Sequence, residues 1–118
     1  MKVKDVMIKP DKFGRVNPDE FLKVALDKMT DSKLGIVCIV EDEFLKGVIT
    51  DGDIRRKLLG EQKPFSAFFS DYVINHAISN PITCKEEDSL KHAIELMEEK
   101  HIWDLPVIND NRKLVGLL

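Results

Sequence analysis

Two stretches of the chain repeat one another at a nearly constant spacing, and this duplication limits the fold more than any other feature. Leu22 and Leu90, Ala25 and Ala93, and Met29 and Met97 are each 68 positions apart. Gly47 and Gly116 are 69 apart, so the second copy carries one inserted residue at its second turn. In the first copy Val16 opens a short extended segment. Asn17-Pro18-Asp19-Glu20 then reads as a helix start, because proline suits the first turn and acids suit the positive helix end. Phe21, Leu22, Ala25, Leu26 and Met29 form an apolar helical stripe, which Thr30-Asp31-Ser32-Lys33 ends. Gly35-Ile36-Val37-Cys38-Ile39-Val40 reads as a buried strand, Glu41-Asp42-Glu43 as a turn, and Lys46-Gly47-Val48-Ile49-Thr50 as a second strand. Asp51-Gly52-Asp53 opens a further helix through Ile54, Leu58 and Leu59. The second copy keeps the order. Pro81-Ile82-Thr83-Cys84 is extended, Glu86-Glu87-Asp88-Ser89 starts a helix, and Leu90, Ala93, Ile94 and Met97 are its stripe. Leu105-Pro106-Val107-Ile108 and Lys113-Leu114-Val115-Gly116-Leu117 are strands on either side of Asn109-Asp110-Asn111. A helix, a strand, a turn and a glycine-bearing strand that recur in order argue for an internal repeat.

Composition narrows the function. At 118 residues and 43% hydrophobic the chain can bury a core, as one domain or as two halves that share one. The 18 basic and 21 acidic residues leave a net charge of -3, and no basic tract stands apart, so a nucleic-acid partner is not expected. No apolar stretch approaches the ~20 residues of a membrane span. The N-terminus, Met1-Lys2-Val3-Lys4-Asp5, shows no apolar signal region, and a cytoplasmic protein is expected. Cys38 and Cys84 match no Cys-x-x-Cys pattern and read as buried free thiols. His76, His92 and His101 lack metal-ligand spacing, so no structural metal is expected. There is no Ser-His-Asp or Cys-His constellation and no phosphate-cradling glycine loop, which argues against an autonomous enzyme. Glu98-Glu99 reads as a solvated helix end.

The repeat resembles the cystathionine-β-synthase (CBS) domain pair, also called a Bateman module, over almost the whole chain. In the first copy the resemblance rests on Asp5-Val6-Met7, the helix ending at Met29, residues 35–40, and Gly47-Val48-Ile49-Thr50-Asp51-Gly52-Asp53-Ile54. In the second it rests on Asn80-Pro81-Ile82-Thr83, residues 90–97, and Ile102-Trp103-Asp104-Leu105-Pro106-Val107-Ile108. Lys33-Leu34-Gly35, followed by Thr50-Asp51-Gly52-Asp53-Ile54-Arg55-Arg56, looks like the pairs attached to arabinose-5-phosphate isomerase-type sugar-phosphate isomerases. A similar run occurs in those fused to sugar-phosphate nucleotidyltransferases. The resemblance implies an α/β (α+β) fold of two tandem β-α-β-β-α-like repeats related by a pseudo-twofold axis. Repeat 1 is expected over 1–60, a linker over 61–73 and repeat 2 over 74–118, its last helix missing after Gly116 and the matching second Thr-x-x-Asp with it. The two sheets are expected to pack through Ile36, Cys38, Val48, Val107 and Val115 or their immediate neighbours.

The expected ligand residues are Thr50, Asp53, Arg55, Ile82, Thr83, Trp103, Asp104 and Pro106. Thr50-Asp51-Gly52-Asp53 lies where a strand turns into a helix, whose free N–H groups attract anions. Gly52 allows close approach, Asp53 suits a ribose-like diol, and Arg55 or Arg56 suits a phosphate. The same residues also read as structure, with Thr50 or Asp51 capping the helix and Asp53 complementing its dipole. The resemblance implies that Thr-x-x-Asp serves a nucleotide's ribose and that the base packs on Pro81-Ile82-Thr83 and Trp103-Asp104-Leu105-Pro106. Trp103 fits a stacking wall, a core position or a dimer contact. Asp104 departs from relatives with a basic residue there, and a carboxylate repels phosphate.

Two functions follow. One is a regulatory module that senses a nucleotide-like ligand, such as an adenine nucleotide or a cytidine sugar nucleotide, and modulates a sugar-phosphate isomerase or nucleotidyltransferase. The other is a dimerisation module with no ligand. A homodimer is expected in either case, with the apolar Phe65, Phe68 and Phe69 packed on a core face or at a subunit contact and surface left uncovered by the missing helix.

Overall fold

The computed structural model describes residues 1–60 and 65–118. The part of the expected linker at 61–64 lies outside the described residues, as does the side chain of Phe65. The elements are β1 (Gly14–Val16), α1 (Leu22–Ser32), β2 (Ile36–Glu41), β3 (Phe44–Thr50), α2 (Asp51–Gly60), α3 (Phe65–Phe69), β4 (Cys84–Lys85), α4 (Leu90–Lys100), β5 (Pro106–Ile108) and β6 (Leu114–Leu117). Two three-stranded sheets result, in order β1-β2-β3 and β4-β5-β6. In each, the first pair is parallel and the second antiparallel.

The sheets match residue for residue. Val16 pairs with Ile39, and Cys84 with Val107, at the same offset of 68. Each antiparallel pair breaks register at the matching place, between Ile39 and Val40 and between Val107 and Ile108. Past the break Val40 faces Leu45, while Ile108 faces Leu114, so the inserted residue lies in the second turn as expected. Both main helices end on a left-handed residue, Lys33 (φ 61°) and His101 (φ 55°), again 68 apart. Phe44 and Lys113 are equivalent positions, and they pair with each other. Leu45 N–H donates to the Arg112 carbonyl, and Leu114 N–H to that of Glu43. Such self-matched contacts mark a pseudo-twofold axis.

The central core lies between the sheets, where Phe13, Ile36, Cys38, Leu45 and Val48 meet Ile108, Leu114 and Leu117. Ile36, Cys38 and Val48 pack there as expected. On the second sheet the immediate neighbours of Val107 and Val115 do so, Ile108 and Leu114, as the expectation allowed, while Val107 and Val115 face outward onto a different cluster with Val3, Cys84, Ala93 and Leu105. Successive strand residues point to opposite faces, and this strand is apolar on both, so the pattern does not say which face is inner. The third cluster covers the outer face of the first sheet with Leu22, Ala25, Met29, Ile54, Phe68 and Val73.

One expectation changes and one alternative is decided. The helix expected to start at Asn17-Pro18-Asp19-Glu20 begins instead at Leu22, after an uncapped Phe21. The four earlier residues form a turn that receives the chain arriving at repeat 2. Val73 N–H donates to the Glu20 carbonyl at 2.8 Å, Leu22 N–H to that of Asp71 at 2.9 Å, and the Phe21 and Tyr72 rings stack at 5.8 Å. Tertiary bonding overrides a local start signal there. Phe68 is buried in the core of repeat 1, with the partly buried Phe69 packed beside it, so of the two expected places, a core face or a subunit contact, Phe68 takes the core face.

Each repeat is completed by a strap from the other half of the chain. Ile8 exchanges hydrogen bonds with Leu117 (2.7 and 2.9 Å), and Ile78 with Val48 (3.1 and 2.9 Å). The first ten residues thus lie against repeat 2, where Val3 N–H meets the Asp88 carbonyl and Lys2 and Lys4 clasp Glu87.

Candidate functional site

β3 runs into α2 without a loop, and the junction is held by a reciprocal cap. Thr50 N–H donates to Asp53 Oδ2 at 3.1 Å, and Asp53 N–H donates to Thr50 Oγ1 at 3.1 Å. This is a capping box with aspartate in the third helical position. Arg56 Nη2 donates to the other carboxylate oxygen, Asp53 Oδ1, at 2.6 Å. Asp53 is 15% exposed, and the Arg56 side chain 69%. Both oxygens that could receive a diol therefore have partners in this structure.

The junction forms one wall of a cleft of about 740 Å³, within the ~300–1,000 Å³ typical of small-molecule sites. Thr50, Asp53 and Arg55 line this wall, and Ile82, Trp103, Asp104 and Pro106 line the facing wall from repeat 2. Thr83, the eighth expected residue, is not among the lining residues. It is half-buried, and extended neighbours point to opposite sides, so Ile82 toward the cleft turns Thr83 away. Trp103 is 91% exposed, so it is not a core residue; it stands at the rim with the exposed Ile82.

Two glycines shape the floor. A Cβ on Gly35 would lie 3.1 Å from the Asp51 carboxylate, and the backbone N–H of Asp51 donates to the Gly35 carbonyl. At Gly52 a Cβ would lie 3.3 Å from Arg56 Nη1 and 3.8 Å from Arg55 Nη2. Both guanidinium groups thus reach over the first turn of α2, where the Asp51 and Asp53 N–H groups are already bonded to the Gly35 carbonyl and Thr50 Oγ1, so the guanidinium groups, aided by the helix dipole, are what favour an anion there. Asp104 is half-buried, and burial, followed by the nearby Asp51 charge, pushes its carboxyl above the usual range. Beneath it Cys38 is fully buried and its thiol is pushed up to about 12, by burial first and then by Asp104.

The structure adds Ile36, Val48, Ile78, Asn80 and His101 to the walls. Ile78 was open to a reading through the repeat, because Met7-Ile8 and Ala77-Ile78 precede equivalent strands. Ile36 and Val48 carried only a core signal. Among the described residues no group of His, Cys, Asp and Glu is placed to hold a metal ion, and no helix is long and apolar enough to cross a membrane.

The profile of the CBS domain matches residues 3–60 and, again, 71–118. The probable arabinose 5-phosphate isomerase of Haemophilus influenzae is 32% identical over 117 residues, covering 99% of this chain and 33% of that protein. The chain spans about one third of the length of the curated relatives it matches. The crystal structure of Arabidopsis thaliana CBSX2 in complex with AMP superposes with a TM-score of 0.86 at 25% identity, over 99% of this chain and 88% of that one. A CBS domain protein from Pyrobaculum aerophilum complexed with AMP gives a TM-score of 0.85 at 19% identity, over 100% and 86%.

Proposed function

This chain belongs to the CBS domain family, with the domain present twice, and on that premise we propose that it binds a nucleotide in the cleft between its repeats, an adenine nucleotide before others. A CBS pair is a regulatory module without catalytic activity of its own. The observation that carries the reading is the pairing of walls: a capped strand-to-helix turn with two guanidinium groups faces Ile82, Trp103 and Pro106 across the cleft. A flat base fits the apolar wall, a ribose diol fits the Thr50–Asp53 turn, and an anion fits the start of α2. The AMP bound by CBSX2 supports the adenine nucleotide. The likeness to isomerases supports a role in tuning a sugar-phosphate enzyme, and it keeps cytidine sugar nucleotides in the test panel. Self-association belongs to the same reading, with Leu59 of α2 and Ile94 of α4 exposed on helix surfaces.

One observation favours a second reading, a dimerisation module with an empty cleft: both oxygens of Asp53 are already engaged. Thermal unfolding against AMP, CMP and a cytidine sugar nucleotide separates the two, because a ligand of the native state raises Tm with its concentration. For the ligand that binds, Asp53→Asn should cost about 1.5–3 kcal/mol of affinity, the worth of hydrogen bonds to a charged group. If no member of the panel moves Tm, the dimerisation reading stands. Sedimentation at about tens of micromolar, the range of ordinary micromolar self-association, checks the dimer in either case.

A further inference from the structure

Asp104 lines the same cleft without a partner of its own among the described residues. It lies just before β5 on the repeat 2 wall, half-buried, and among the described residues no hydrogen bond or ion pair reaches its carboxylate. The charged group that acts on it is another carboxylate, Asp51 at the start of α2, and the apolar face beside it holds the protonated thiol of Cys38. Gly35, with no side chain, leaves the room in which Asp51 sits. The Arg55 and Arg56 guanidinium groups reach over Gly52, Arg56 bonded to Asp53, and neither pairs with Asp104 among the described residues. Around Asp104 the cleft therefore offers acceptors and negative charge, while its donors and positive charge come from Arg55 and Arg56 over Gly52.

A half-buried carboxylate without a donor is left with part of its desolvation cost. A ligand hydroxyl or amino group placed there offsets that cost. A phosphoryl group placed there meets two like charges in a partly desolvated site, where such juxtaposition is expensive. We propose that Asp104, backed by Asp51, is a specificity-determining residue: this corner accepts hydroxyl or amino groups of the ligand and rejects a phosphoryl group, which is left to Arg55 and Arg56. The proposal rests on the reading of the cleft as a nucleotide site.

The test is a calorimetric titration of the wild-type chain, Asp104→Asn and Asp104→Arg with adenosine and with AMP, at low and high salt. Asp104→Asn keeps the shape and removes the charge, and its Tm shows whether the fold holds. The AMP-to-adenosine affinity ratio should rise by at least about fivefold in Asp104→Asn and further in Asp104→Arg, the scale of one like-charge contact removed or reversed. Added salt should lower AMP affinity more in Asp104→Arg than in the wild type, because it screens an attraction in the one and also relieves a repulsion in the other. An unchanged ratio in both variants overturns the proposal and leaves the nucleotide reading standing. Failure of both ligands to bind any of the three proteins overturns the two together.

Discussion

Asp53 holds the helix start and is also the residue best placed to hold a ligand, and Arg56 arbitrates between the two. The Arg56 side chain is largely exposed, so its ion pair contributes no more than about 1 kcal/mol after solvent screening. Arg56→Gln should free Asp53 Oδ1 and tighten adenosine by up to about fivefold, the equivalent of that energy. AMP should gain less or lose, because the same change removes a cation. Titration with both ligands checks this: no gain for adenosine would mean that Arg56 does not compete for the diol, and an equal gain for both would mean that it does not meet the phosphate. The two cysteines give a separate check on the core. Burial holds Cys38 up to about 12 and Cys84 up to about 11, above the value of an exposed thiol. The folded chain therefore keeps thiol protons that the unfolded chain releases, and stability falls as pH rises from the ordinary thiol range toward 11–12. At neutral pH a thiol reagent should modify neither cysteine until denaturant unfolds the chain, and a fast-reacting native thiol would refute their burial.

At the scale of elements, the helix ends are the clearest opening for engineering. Lys33 closes α1 at φ 61°, a conformation that costs a residue with a Cβ about 1–2 kcal/mol and glycine little. Lys33→Gly should raise stability, by up to about 1 kcal/mol once the greater freedom of glycine in the unfolded chain is subtracted. Urea unfolding measures it, and a loss of stability would show that the Lys33 side chain contributes more than its backbone strain removes. The elements also show where sequence is informative. The order of strands and helices was legible because the stripes around Leu22 and Leu90 recur, and the Thr50–Asp53 turn was legible because capping and binding both call for those residue types. The start of α1 was not, because Glu20 and Leu22 answer to residues 71 and 73, which local pattern cannot foresee. The inner faces of β5 and β6 were not, because a strand apolar on both sides has no sequence mark of inside. Asp104 could be placed at the cleft by resemblance, yet its juxtaposition with Asp51 depends on how two sheets cross.

At the scale of the whole molecule, the halves are bound by exchange. Residues 1–8 serve repeat 2, residues 71–78 serve repeat 1, and the two sheets share the central core. Neither repeat has a complete set of backbone partners within its own half, so the chain should unfold in one transition, with the amides of β2 and β5 exchanging through a common global opening. Hydrogen exchange reads this directly, and clearly separate opening energies for the two strands would contradict it. The straps also make each half a template for the other. Severed polypeptides of residues 1–60 and 65–118 should each be largely unstructured in isolation, because each lacks the strap that its sheet needs. Mixed at equal concentration they should reassemble by fragment complementation, and the circular dichroism of the mixture should exceed the sum of its parts. A half that folds fully by itself would show that the straps decorate the fold and do not build it.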